Sequence, residues 1–249
     1  MLKITHLSMS YTSSQKAVND LSLTLDAGDL FGFIGHNGAG KTTTLKCVAG
    51  ILPFEAGEIF IDGKSVLAQP IECKRVTAYI PDSPDLYEYL TGIQYLSFIA
   101  DVFGLSKAGR QEAIGRYAGL FELTGNLGDI ISSYSHGMKQ KLALISALMH
   151  RPKLLVLDEP FVGLDPKAAF ALKEEMKALC AGGCGIFFST HVLEVAEKLC
   201  TKVAIIQRGR LAARGETARI IGDNSLEHLF MELIQNGKSS SALPIRETA

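Results

Sequence analysis

The chain has no surplus of charge of either sign: 25 Lys and Arg stand against 26 Asp and Glu, a formal net charge of −1 over 249 residues. That balance leaves no basic footprint of the kind a whole nucleic-acid-binding domain carries, so direct nucleic-acid binding is not expected. Long apolar runs are missing as well. No stretch reaches the roughly eighteen consecutive apolar residues of a membrane-spanning helix, and the opening MLKITHLSMS lacks the continuous apolar core of a signal peptide. The chain is expected neither to span a membrane nor to be exported by that route, and any membrane role has to come through a partner. Cysteine is sparse and odd in number, at Cys47, Cys73, Cys180, Cys184 and Cys200. Cys180 and Cys184 lack a second pair at zinc-site spacing, which points to reduced thiols. There is no internal repeat, and low complexity is confined to the Lys-Ser-Ser-Ser run at 238–241.

What is present is an ordinary globular composition, 47% hydrophobic and 20% charged, in a chain long enough to bury a substantial core. Alternation of apolar residues marks strands at 2–9 and 21–25, and an unbroken apolar run at 30–34 marks a buried one. Residues 57–61 form a further strand ahead of an Asp-Gly turn, and 76–80 another before Pro81. From Thr91 the period changes: Ile93, Leu96, Ile99, Ala100 and Phe103 recur at helical spacing behind a threonine able to cap the first turn. Residues 85 to 150 read as mostly helical. Strand signals return at 154–157, 185–189 and 203–207, separated by helical stretches at 167–179 and 192–199, and an amphipathic helix is expected at 225–234. Strands alternating with helices predict an α/β fold, a mostly parallel sheet covered on both faces. A helical segment interrupts it, and the tail from 237 to 249 is expected to be disordered.

The most informative stretch is Gly35-His36-Asn37-Gly38-Ala39-Gly40-Lys41-Thr42, which fits G-x-x-x-x-G-K-[ST] and lies between a buried strand and a helix, where that motif has to lie. Glycines let consecutive backbone N–H groups turn inward into an anion nest, and the helix start adds its positive dipole end. Lys41 then reaches the β- and γ-phosphates, the Thr42 hydroxyl ligates Mg²⁺, and Thr43 belongs to the same cradle. A phosphate cradle needs a metal-holding carboxylate nearby. Asp158, at the end of the apolar run 154–157, supplies it, and Glu159 is placed to orient or deprotonate a water attacking the γ-phosphate. Adjacent acids ending a buried strand are costly without such a purpose.

Further stretches stand in a fixed order around these: Tyr11, then Tyr79-Ile80-Pro81-Asp82, Tyr134-Ser135-His136-Gly137-Met138, Gly163-Leu164-Asp165-Pro166 and Phe187-Phe188-Ser189-Thr190-His191. With them the sequence resembles the ATP-binding subunits of ABC transporters from about residue 2 to residue 235. The resemblance implies a P-loop core with an N-terminal antiparallel β portion and an inserted helical subdomain. It divides residues 1–236 into a nucleotide-binding core at about 1–81 and 151–220, a helical subdomain at about 82–150 and a C-terminal helix. It implies that Tyr11 stacks on adenine, that His191 senses the γ-phosphate, and that Asp165 links two sites across a head-to-tail dimer. Ser135 and Gly137 are implied to contact ATP bound to the opposite subunit. His136 and Met138 depart from the usual Leu-Ser-Gly-Gly-Gln form, and Asp82 stands where glutamine is common, able to ligate the metal with shorter reach.

The expected cofactors are therefore ATP and Mg²⁺. The expected partners are a second ATPase subunit, the same chain or another, and a separate membrane-spanning subunit whose short helix docks near Leu86, Tyr87 and Tyr89. Motif style resembles ABC-2 type exporters and places the protein in the cytoplasm, peripheral on the membrane through its partner. The alternative is a soluble ABC-type ATPase acting as a mechanical switch on ribosomes or nucleic acid; such proteins usually carry two cassettes or a long coiled-coil insertion, which this chain lacks. A regulatory module that hydrolyses poorly is a third reading, disfavoured by Glu159 and His191.

Overall fold

The computed structural model describes residues 1–12, 15–222, 224–237 and 246–247. Most of the expected tail lies outside the described residues.

The chain opens with two long antiparallel strands, β1 (Leu2–Thr12) and β2 (Gln15–Leu25), and then enters the central strand β3 (Leu30–Ile34). Helix α1 (Lys41–Val48) follows, then β4 (Ala56–Ile61), β5 (Lys64–Ser65), α2 (Pro70–Val76) and β6 (Thr77–Ile80). Helices α3 (Gly92–Val102), α4 (Lys107–Leu120) and α5 (His136–Leu148) come next, before β7 (Leu154–Asp158), α6 (Pro166–Ala181), β8 (Gly185–Thr190) and α7 (Leu193–Leu199). The chain closes through β9 (Lys202–Gln207), β10 (Arg210–Glu216), α8 (Thr217–Ile221), α9 (Leu226–Gly237) and β11 (Arg246–Glu247).

Among these, β2-β1-β4-β5 make an antiparallel sheet, and β11-β10-β9-β3-β8-β7-β6 make a second in which β9, β3, β8, β7 and β6 run parallel. The reason is legible in the strands themselves. Every residue of β3, β7 and β8 is buried, as a parallel sheet with both faces covered requires. Alternate residues then serve different cores. Leu154 and Val156 of β7 join Phe31, Phe33 and Phe187 beneath the antiparallel sheet and α1. Leu155 and Leu157 face the opposite way, with Ile186, Phe188, Leu172 and Met176 under the helices. Phe187 lies 5.7 Å from Phe31 and 5.2 Å from Phe33 between ring centroids, an aromatic cluster whose burial contributes on the order of 2–3 kcal/mol per ring.

Thr91 caps α3 as its sequence suggests: its hydroxyl accepts from Gln94 N at 3.3 Å, and Gln94 Oε1 accepts from Thr91 N at 2.9 Å, a reciprocal capping box. The first two strands are longer than their alternation indicated, and α2, α8 and β10 carried no clear periodic signal.

Candidate functional site

Period-two alternation in β7 decides where the first acid points. Asp158 continues the Leu154 and Val156 face, toward α1, and is fully buried. Ser189 Oγ on the neighbouring β8 donates to Asp158 Oδ1, and Oδ2 has no hydrogen-bond partner among the described residues. Burial pushes the Asp158 carboxyl above its ordinary pKa, the Ser189 and Thr42 hydroxyls pull it back, and the charges of Asp82 and Glu159 push it up further. A buried carboxylate oxygen without a donor, beside a threonine hydroxyl and a second carboxylate, is a donor set that suits a hard divalent cation such as Mg²⁺.

Glu159 sits one residue on, in left-handed backbone at φ 48°, a conformation that strains a non-glycine residue. The turn is held by Glu159 N donating to Ser189 Oγ at 3.0 Å and Val162 N donating to Glu159 O at 3.1 Å. It swings the carboxylate away from Asp158 and into the cleft, where Oε1 lies 3.5 Å from Lys41 Nζ and 3.0 Å from His191 Nδ1. His191 is thus brought to Glu159 from the end of β8.

The loop after β3 wraps these groups. Gly40, at φ 110°, has no room for a side chain: a Cβ there would stand 2.4 Å from Ala17 O. Lys41 is 6% exposed and folds back over the loop, donating to Gly35 O at 2.7 Å and His36 O at 3.3 Å. Gly35 and Ala39 shape the backbone from beneath, whereas Asn37, Gly38, Gly40, Lys41, Thr42 and Thr43 line an open cleft of about 570 Å³. His36 is exposed at its edge, with Nδ1 2.8 Å from Asn37 O. The cleft also takes in Asp82, whose Oδ1 accepts from Ser83 N at 2.9 Å, and Glu159. Tyr11 closes the far end, its ring 62% exposed and its hydroxyl 3.2 Å from Thr43 Oγ1. Such a cleft is of the size that takes a nucleotide.

The remaining predicted residues lie elsewhere. Ser135 caps α5, accepting from Met138 N at 3.3 Å, and Asp165 caps α6, accepting from Ala168 N at 2.8 Å. These two helix starts are fastened together: Lys141 Nζ is 2.6 Å from Asp165 Oδ2, and a Cβ on Gly137 would stand 2.7 Å from Gly163 O. The His136 ring rests on Gly163. None of these residues lines the cleft.

On the helical segment, Tyr87 and Tyr89 are exposed and join Tyr95 and Phe98 in an aromatic patch, with Tyr87 centroid distances of 6.1, 6.2 and 5.7 Å to Tyr89, Tyr95 and Phe98. Leu86 corrects the expectation for the rim: at 7% exposure it packs the helical core. Sequence reasoning also missed five residues on the cleft wall, Thr12, Lys16, Ala17, Arg208 and Gly209. No motif spans them, since β2 and the β9–β10 turn meet only through the folded sheet.

Residues 18–162 match the family model described as ABC transporter. The chain is 34% identical over 238 residues to the ABC-type transporter ATP-binding protein EcsA of Bacillus subtilis strain 168, covering 94% of this chain and 96% of that one. It is 31% identical over 231 residues to the linearmycin resistance ATP-binding protein LnrL of the same organism, covering 91% of this chain and 74% of that one. Among solved structures it resembles the ATP-binding subunit of an ABC transporter, with a TM-score of 0.89, 37% identity and coverage of 94% and 99%. An ATP-binding cassette solved as a dimer in a post-hydrolysis state with ADP and Pi shares the fold, with a TM-score of 0.81, 19% identity and coverage of 87% and 99%.

Proposed function

The chain belongs to the ABC transporter ATP-binding family, and from that premise we propose that it powers export through a separate membrane-spanning partner by ATP-driven closure of a dimer. It binds and hydrolyses ATP as a member of that family. The observation that carries the rest is the division of phosphate-binding chemistry within one chain. The cleft holds the loop, Lys41 and the acids, whereas Ser135, Gly137 and Asp165 form a second, rigidly fastened surface that the cleft does not reach. Free N–H groups at the start of α5 suit an anion but have none from their own chain's cleft. Two subunits related by a two-fold axis would complete both sites, each lending its Ser135 surface to the nucleotide in the other's cleft.

In this reading the loop amides and the α1 start hold the phosphates, and Lys41 exchanges Gly35 O and Glu159 for phosphate oxygens. Release of Lys41 frees Glu159 to polarise the attacking water, with His191 holding its carboxylate in place. A magnesium ion bound with the nucleotide would offset phosphate charge, and Thr42, Asp158 and Asp82 would hold it. Closure favoured by ATP and released by hydrolysis then moves the partner.

The partner contact belongs to the helical segment, where Tyr87 and Tyr89 present an exposed aromatic surface suited to a helix-in-groove contact. Residues 1–236 act as one cassette, with about 82–150 facing the membrane subunit. A peripheral place on the cytoplasmic face, reached through that subunit, belongs to the same reading; no helix among the described residues is long and apolar enough to cross a membrane. Outward direction is supported by the likeness to ABC-2 type exporters and by a relative named for linearmycin resistance, a phenotype that removal of a compound would give.

The closure step is tested by light scattering of Glu159→Gln with and without Mg-ATP. The expected result is a monomer that becomes a dimer with ATP and stays one; a monomer at saturating ATP, with or without the membrane subunit, would overturn it.

A further inference from the structure

We infer that the turn between β9 and β10, through Arg208, together with Lys16 of β2, grips the α-phosphate and ribose end of the nucleotide, a contact outside the phosphate-loop motif. The inference rests on ATP occupying the cleft beside Lys41.

Gln207 pairs with Arg210 across this hairpin, leaving Arg208 and Gly209 as a two-residue loop, and both have positive φ, 49° and 77°. A turn of this kind favours Asn, Asp or Gly at its first position, so an arginine there breaks a local rule at a cost in backbone strain. The turn is also unusually fixed. Gly209 N donates to Ala39 O of the phosphate loop at 2.9 Å, and Asn19 N of β2 donates to Gly209 O at 2.8 Å. A Cβ on Gly209 would stand 2.8 Å from Ala17 O, the same carbonyl that crowds Gly40. Three backbone segments therefore meet in close contact, and Arg208 and Lys16 lie on the cleft wall beside the junction. Among the described residues neither takes part in an ion pair, so both cations are available to an anion.

Sheet order identifies which part of the nucleotide they meet. Strands run β10-β9-β3-β8-β7-β6, with the phosphate loop leaving β3. Glu159 and His191, at the ends of β7 and β8, flank that loop on one side and mark the hydrolysed γ-phosphate. The Arg208 turn flanks it on the other. Lys16 shares that side: it is paired with Ser10 across the β1–β2 hairpin, next to Tyr11. A guanidinium and an ammonium at this end meet the charge and hydroxyls common to ATP and ADP.

The test is equilibrium binding of ATP and of ADP to full-length Arg208→Gly, Lys16→Gln and Lys41→Ala, each checked for an undiminished melting temperature. Arg208→Gly relieves the strained backbone, so its fold is expected to hold. The expected result is an affinity loss of about fivefold or more for ATP and ADP alike in Arg208→Gly and in Lys16→Gln. Unchanged affinity in both, with Lys41→Ala impaired, would overturn the inference while leaving the cleft assignment standing, and a loss for ATP alone would overturn it by moving the contact to the γ-phosphate. Unchanged binding in Lys41→Ala would overturn the cleft assignment itself.

Discussion

Asp158 has no exposed surface, an Oδ2 without a hydrogen-bond partner among the described residues, and a pKa raised chiefly by burial. A raised carboxyl pKa means the folded state holds its proton more tightly than the unfolded chain does. The resulting stability is present below the unfolded carboxyl pKa and is lost as pH rises through the folded value. Above the folded value the ionised carboxylate weakens the ligand-free fold, and Asp158→Asn is expected to melt at higher temperature than the parent at pH 7, with the gap narrowing as the pH is lowered. Hydrolysis should fall in the same variant. A melting temperature lowered at pH 7 would show that Asp158 serves the fold before it serves a ligand. At this scale the sequence was informative because the chemistry is local: Lys41, Thr42, Asp158 and Glu159 stand at strand or helix ends that the apolar runs announce. Arg208 and Lys16 were not legible, since only the three-dimensional meeting of β2, the phosphate loop and the β9–β10 turn gives either a role.

Among elements, the junction of α3 and α5 holds a titrating group away from the cleft. His150, just beyond α5, stacks on Phe103 at the end of α3 with ring centroids 3.6 Å apart and planes 5° apart. Burial pulls its pKa down to about 4, and Nδ1 has no hydrogen-bond partner among the described residues. A depressed histidine pKa means the unfolded chain binds the proton first. Stability is fully present above the ordinary histidine pKa and is lost as pH falls toward 4, by roughly 3 kcal/mol for this one group. Urea titrations at pH 7 and pH 4 should show a steeper loss in the parent than in His150→Phe, which keeps the stack and cannot titrate; equal losses would contradict the burial argument. Element prediction from the sequence worked best where burial is uniform or periodicity is long, as in β3, β7, β8 and the capped α3. It faltered at α2, a seven-residue helix burying only Cys73, and at β10, whose polar ARGE end hides its pairing with β9.

For the whole molecule, the sheet order matters more than any single strand. It sets Glu159 and His191 on one flank of the phosphate loop and Arg208 on the other, while the starts of α5 and α6 are fastened together by Lys141 and Asp165. Connectivity of this kind cannot be read from periodicity, because strands 3, 8, 7 and 9 become neighbours only through crossovers around the helical segment. Nor can composition show what docks on the Tyr87 and Tyr89 patch. The central claim is that this ATPase works on a membrane-spanning partner, and it is met most directly by purifying tagged Glu159→Gln with ATP from detergent-solubilised native membranes and identifying what accompanies it by mass spectrometry. A polytopic membrane protein at stoichiometric amount is the predicted result; ribosomal proteins or nucleic acid, with no membrane subunit, would contradict it.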